Sequence, residues 1–509
     1  VLSPDGQRIH VVARSFAESL TLPLEQLRSP ALFTIPEFEV RSFNLQIAAP
    51  ANLRVHVRRE AGRWFFETPV VARANTAAVK QAITLLSTLK VGAFLSQPPP
   101  PELNPATTPV FRITLGGNNR SETLLIGGAV PPAPDATQTV GQDAAYFAQI
   151  DGKATVFTLA LSADLTETLR SAQDKLRETK ILEMDPNRVT SIVLRAPNQA
   201  AITLQRLEST ATDGAAQWQI VRRGGNNAPA TQTADPAAVQ RLLDLLSRFS
   251  ALKFLRDAPT SADEEAWGFN SPEREIVIQT GADSPPVARA PGGASVAAGT
   301  QTLQIGVGGD RGPRAYARLD SARYVYEVDE EILKETPTDA RAWRDRRLRE
   351  LPAGARITML RITDLATQKV IQERSLSADA SGAGDLAPAD ASPEQKTAWQ
   401  TLVAQLRSLR AKAFVADRYS ESVVALGEER RWKYQIDLGI ALSGGTAAQA
   451  GTQTLMITDR IGGGLQLAGS KELDSVFEIE QPFVDALWAL TYAPPASETA
   501  APAASPVNP

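Results

Sequence analysis

The 509-residue sequence contains no cysteine and only two histidines. Without thiols there is no disulfide, no thiolate metal site and no Cys nucleophile, and two histidines cannot furnish a site that needs three. Runs of 18 or more apolar residues are missing, and the opening VLSPDGQRIHVVARSF has no signal-peptide core. Neither sign of charge dominates. Lys+Arg 53 against Asp+Glu 57 leaves a net charge of -4, which argues against a broad nucleic-acid footprint. Gly 33 and Pro 35 are close to ordinary usage, so the bulk is neither fibrous nor disordered. What remains is a globular class, with about three domains expected at roughly 100–200 residues each. The chain opens on Val1 rather than Met. We read this as upstream processing or trimming, with a membrane anchor as the expected missing piece. The lack of thiols suits an extracytoplasmic compartment, where disulfides would otherwise misform.

What is present is a repeat. Residues 79–95 (VKQAITLLSTLKVGAFL), 239–255 (VQRLLDLLSRFSALKFL) and 399–415 (WQTLVAQLRSLRAKAFV) read as one amphipathic helix at equal steps of 160 residues. Val79/Val239/Trp399, Ile83/Leu243/Val403, Leu86/Leu246/Leu406, Leu89/Phe249/Leu409 and Phe94/Phe254/Phe414 form its apolar stripe. The three phenylalanines are expected to be buried where helix meets sheet. Asp235-Pro236 and Ser392-Pro393 supply a cap and a first-turn proline, and Asn75 or Thr76 caps the first copy.

The flanks recur in order. A Leu-Arg pair (Leu27-Arg28, Leu176-Arg177, Leu348-Arg349) precedes an alternating strand at 40–47, 189–194 and 357–362. A strand led by Trp64 or Trp218 follows in the first two copies only. After the helix come a strand, a Thr-Leu strand (Thr123, Thr302, Thr454) and an aromatic hairpin, turned at Asp151-Gly152 in the first copy. The pattern predicts an α+β fold of three tandem modules, each an antiparallel sheet with one or two helices. The expected boundaries are a partial N-terminal module at 1–38, modules at 39–185, 186–354 and 355–492, and a disordered tail at 493–509. Stretches rich in Pro, Gly and Ala at 97–105, 129–138, 284–301 and 378–391 read as surface loops.

This order resembles the bacterial domain-of-unknown-function family numbered 4340. The middle copy carries it best: Leu176-Arg177, Trp218, Ala251 and Phe254, Trp267-Gly268-Phe269 with Pro272, Thr302 to Gly306, and Tyr316-Ala317-Arg318 with Val325-Tyr326-Glu327-Val328. The third copy lacks the Gly-aromatic-x-x-Pro element and reads VALGEERRW there. The resemblance implies copies that follow a single N-terminal membrane helix, beside ABC-type transporter and gliding-motility-type accessory genes. It implies no catalytic residues.

The residues themselves offer few carriers of chemistry. His10 and His56 have no carboxylate partner evident in sequence and read as structural or surface residues. Asp263-Glu264-Glu265 and Asp329-Glu330-Glu331 fall at helix or turn starts, where acidic side chains suit the dipole, rather than forming a glycosidase pair. Gly306-Val307-Gly308-Gly309 and Gly462-Gly463-Gly464 follow strands without a Gly-Lys-Ser/Thr ending and read as hairpin loops. Residues 341–349 (RAWRDRRLR), interrupted or flanked by Asp339, Asp345 and Glu350, read as a solvated helical face, with an anionic contact surface as the alternative. Trp64 and Trp218 read as core, with sugar stacking as the alternative. No catalytic, cofactor or metal residue is assigned. The expected function is a non-enzymatic, membrane-tethered extracytoplasmic scaffold or partner-binding subunit, accessory to an ABC-type transporter complex. A carbohydrate or cell-wall binding protein is the alternative, and a hydrolase comes third.

Overall fold

In a computed structural model, the described residues are 2–22, 31–131, 144–207, 216–223, 229–281, 299–308, 314–375, 387–388, 391–442 and 451–492. Helix α1 (Arg14–Leu20) comes first. It is followed by β1 (Ser42–Ile47), β2 (Arg54–Glu60), β3 (Arg63–Thr68), β4 (Ala72–Arg73), α2 (Thr76–Thr88), β5 (Val91–Phe94), β6 (Phe111–Gly116) and β7 (Ser121–Ala129). Next are β8 (Ala144–Ile150), β9 (Val156–Leu161), α3 (Ala163–Arg170) and α4 (Ala172–Lys175). The middle stretch carries β10 (Val189–Arg195), β11 (Ile202–Arg206), β12 (Trp218–Arg223), β13 (Pro229–Thr233), α5 (Pro236–Arg248), β14 (Lys253–Arg256) and α6 (Ser261–Ala266). It continues with β15 (Arg274–Thr280), β16 (Thr300–Gly308), β17 (Arg314–Leu319), β18 (Val325–Val328) and α7 (Glu331–Glu335). The last stretch carries β19 (Arg347–Glu350), β20 (Ala355–Asp364), β21 (Lys369–Ser375), α8 (Pro393–Arg407), β22 (Ser408–Ala416), β23 (Ser422–Ala425) and β24 (Glu428–Arg431). It ends with β25 (Tyr434–Leu442), β26 (Gly451–Ile457), β27 (Leu467–Ser470), β28 (Ser475–Ile479) and α9 (Gln481–Thr491).

The fold is α+β, with antiparallel sheets and repeat-like organisation. Sheet I runs β4-β3-β2-β1-β6-β7-β8-β9-β5 and sheet II runs β13-β12-β11-β10-β15-β16-β17-β18-β14. The second order is the first with every strand number raised by nine. Sheet III runs β19-β22-β28-β27-β26-β25-β20-β21. It keeps seven of the same places and gains β19 beside β22, with no counterparts of β3 and β4 among the described residues. At the place of the Gly-aromatic-x-x-Pro element of residues 268–272, 160 residues further on, the chain has the separate hairpin β23-β24.

By compactness the chain forms two units. One comprises Val1–Asp185, Ser247–Glu273 and Ala282–Glu330; the other comprises Pro186–Leu246, Arg274–Gly281 and Glu331–Pro509. In the first, alternation buries Phe43 and Leu45 of β1, Val55 and Val57 of β2, and Trp64 and Phe66 of β3, while α2 buries Val79, Ile83 and Leu86. In the second, Trp399, Leu402 and Leu406 of α8 join Phe483 and Leu487 of α9 over Leu438, Leu455 and Phe477.

The caps stand as expected. Asn75 accepts from the Ala77 and Ala78 N–H groups, and Asp235 accepts from Ala237. Ser392 and Gln395 form a capping box with Pro393 in the first turn. The helices are shorter than the stripe suggested, ending at Thr88, Arg248 and Arg407. Phe94, Phe254 and Phe414 lie instead on the strands that follow, opposite Phe157, Tyr326 and Phe477. The backbone extends there because it pairs with β9, β18 or β28, and a ladder of hydrogen bonds outweighs one more helical turn. Only Phe414 is buried; Phe94 and Phe254 are half-buried.

Of the expected loops, 97–105 folds back on β7, with Gly128 N donating to Leu103 O at 3.1 Å. Most of 129–138, 284–301 and 378–391, and all of 493–509, lie outside the described residues.

Candidate functional site

The sequence candidates for chemistry are scattered. His56 sits on β2 and has a partner that sequence spacing hid: Glu67, across the ladder on β3, reaches its Nδ1 at 3.2 Å. His10 is exposed in the N-terminal segment. Asp263 closes a capping box with Thr260, and the Thr260 backbone N–H and hydroxyl, with Arg256 beside it, hold its carboxyl below the usual range. Glu264 pairs with Arg318 at 3.0 Å. Asp329 and Glu330 lead into α7, whose first residue is Glu331. Among the described residues no His, Asp and Glu group stands together as a metal site, and no helix is long and apolar enough to cross a membrane. Trp64 and Trp218 are each 2% exposed, in the core.

The glycine runs differ from one another. Gly462–Gly464 is a short turn, as read. Gly306 and Gly308 lie within β16 rather than in a hairpin, and Gly309 falls outside the described residues. A Cβ on Gly306 would stand 2.1 Å from Trp267 O, and one on Gly308 would stand 2.1 Å from Ala266 O. The close approach of the chain leaving α6 therefore explains both glycines.

Residues 341–349 form no helical face. They run from a 3-10 turn, Ala340–Trp343, into β19. The acidic residues that interrupt or flank the basic run are its partners: Arg341 pairs with Asp339 at 2.7 Å and Arg347 with Asp345 at 3.0 Å. A backbone flanked on both sides by strand-like bonds cannot stay helical.

Those bonds belong to a joint that occurs twice. In the first unit, Asn75 N donates to Leu176 O at 2.8 Å, Glu178 N to Arg73 O at 3.0 Å, and Ala251 N to Thr179 O at 2.8 Å. In the second, Asp235 N donates to Trp343 O at 2.8 Å, Asp345 N to Thr233 O at 2.9 Å, and Ala411 N to Arg346 O at 2.8 Å. Arg177 bridges Ala74 as Arg344 bridges Ala234. The counterpart of Arg177 is thus Arg344, not Arg349. The Leu348-Arg349 resemblance is a slip of five residues, since a Trp, Trp343, replaces the leucine. Arg28 lies outside the described residues.

Side chains repeat as well. The Arg177 guanidinium lies 4.2 Å from the Phe254 ring centre and 4.4 Å from that of Tyr324, and bonds Asp257 at 2.6 Å. Arg344 lies 4.1 Å over Phe414 and 4.0 Å from Asp417. Phe254 and Phe414, and Asp257 and Asp417, are again 160 apart. Burial lowers the Arg344 pKa, with the Asp417 carboxylate opposing it. Burial also pushes the Tyr326 hydroxyl well above its ordinary range. Sequence reasoning found the phenylalanines and one arginine but missed the aspartates, although the 160-residue step would have marked them. Beside the first joint a cleft of about 320 Å³ is lined by Pro259, Glu264, Arg318, Arg323 and Tyr324. These groups can hold backbone and bind an ion or peptide; none forms a nucleophile and base pair.

The profile of the Domain of unknown function (DUF4340) matches residues 102–272 and again 227–425. The chain belongs to this family. The two overlapping matches to DUF4340 agree with repeated modules; the first takes in Asp257 and the second takes in both Asp257 and Asp417. No curated protein and no solved structure matches the chain.

Proposed function

We propose that this DUF4340 chain is a non-enzymatic scaffold or partner-binding subunit, held at the extracytoplasmic face of a bacterial membrane and accessory to an ABC-type transporter complex. In this reading the three sheets are three copies of one module, at 39–185, 186–354 and 355–492. The observation that carries it is the joint: the same three backbone bonds, arginine, phenylalanine and aspartate recur at both places where one copy hands over to the next. Selection for a repeated, buried handover is selection for how modules are held. Specificity then falls to loops and sheet edges, which differ between copies while the cores agree. The envelope setting and the transporter partner rest on the family resemblance.

Cross-linking in intact cells followed by capture from native membranes tests it. Transporter subunits should come down with the chain, and recovery of cell-wall glycan alone would replace this reading with the carbohydrate one. His10→Ala with His56→Ala should complement a deletion strain fully. Failure by a folded variant that still captures its partner would mean chemistry.

A further inference from the structure

The first 22 residues do not behave like a linker. Shifted by 149, Ala13, Phe16, Leu20, Leu27, Arg28 and Ala31 fall without a gap on Ser162, Leu165, Leu169, Leu176, Arg177 and Lys180. Shifted by 316, the same six fall on Asp329, Ile332, Thr336, Trp343, Arg344 and Arg347. The structure supports this register at both ends. α1 stands where α3 and α7 stand, and Ala31 bridges Lys90 as Lys180 bridges Ser250 and Arg347 pairs with Arg410.

Burial breaks the equivalence. Leu165 and Leu169 are each 1% exposed and Ile332 is 2% exposed, whereas Phe16 is 53% and Leu20 67% exposed. Ile9, at the place of the buried Val325, is 82% exposed, and Val11 to Ala13 join no strand. α1 buries nothing. An apolar pair at i, i+4 on a seven-residue helix has no reason to hold its shape in water unless a surface covers it.

We infer that residues 2–22 are the closing strand and helix of a fourth module, whose body stands N-terminal to Val1 on the same polypeptide. The inference rests on the module reading proposed above. What covers Phe16 and Leu20 is then what covers Leu165 and Leu169: a sheet and an amphipathic helix of this same fold. The register argues for the same polypeptide, because β9-α3 and β18-α7 each close a body that lies immediately before them in the chain. A second copy is a poor fit, since its three sheets already carry closers of their own in β9-α3, β18-α7 and β28-α9.

Residues 1–509 hold no cysteine to compete for label, and any cysteine elsewhere in the gene product is replaced by serine. Phe16→Cys and Leu165→Cys are each placed singly in residues 1–509 and in the natural, unabridged gene product, and thiol labelling rates are measured on the purified proteins, with melts as a folding check. Leu165→Cys should be protected in both, on the order of 100-fold against an exposed Leu252→Cys. Phe16→Cys should label as fast as Leu252→Cys in residues 1–509 and be protected to a similar degree in the gene product. Fast labelling of Phe16→Cys in the purified gene product overturns the inference, even if it is protected in cells, because a separate partner would then provide the cover. Fast labelling of Leu165→Cys in a folded protein overturns the module reading itself.

Discussion

The two joints are built from the same residues and differ in how the aspartate is shared. At the first, Arg177 is 1% exposed at its side chain, lies between two rings, and has Asp257 at 2.6 Å. At the second, Arg344 is 17% exposed and rests on one ring. Its aspartate, Asp417, is drawn to Arg222 at 2.9 Å and lies 4.0 Å from Arg344. Position and backbone bonding are therefore held constant while the electrostatics vary. The same arginine is a buried ion whose charge has a single close partner in one place, and a half-screened member of a three-charge cluster in the other. Repetition thus preserves the backbone joint more strictly than the ion pair.

The sharpest way to break that comparison is to remove each carboxylate. Asp257→Ala leaves Arg177 buried without its carboxylate and should cost about 3 kcal/mol in a urea melt. Phe414→Ala should cost nearly as much, about 3 kcal/mol, because Phe414 is buried; Phe254→Ala should cost about 2 kcal/mol. Equal losses at the two phenylalanines would mean that exposure does not set the difference. Asp417→Ala should cost about 1 kcal/mol and lose part of that effect in salt, as partly exposed pairs do. Smallest of all, Arg177→Met with Asp257→Leu should lie within about 1 kcal/mol of the parent, since an apolar replacement removes the desolvation cost along with the attraction. A large loss in that double variant would show that the pair is needed for the joint geometry.

Much of this was legible in the sequence, for reasons that particular residues make plain. The helices were found because Val79, Leu86 and their counterparts carry a local period, and caps such as Asn75 and Ser392 act within three residues. The strands were found because β1 and β10 alternate. The strand character of Phe94, Phe254 and Phe414 was hidden, since their spacing also fits a helix and only the partner strands, Val156–Leu161, Val325–Val328 and Ser475–Ile479, decide otherwise. Glu67 facing His56 and the place of Arg344 were hidden for the same reason: each depends on a neighbour supplied by pairing. Gly306 looked like a loop residue because a glycine shows that something approaches closely but not what approaches.

The strand order also dictates a sequence of events in time. β4 and β5 are neighbours in the chain, separated only by α2, yet they form opposite margins of sheet I, and among the described residues β5 pairs only with β9. During synthesis α2 and β5 therefore emerge with nothing to complete them until Val156–Leu161 has been made. Such non-local closure raises contact order and slows folding, and it leaves an amphipathic helix uncovered in the interval. A ribosome stalled before Val156 would hold a half-sheet with a loose apolar helix. The recurrence of this order in sheet II means that the nascent chain passes through the same exposed stage at least twice.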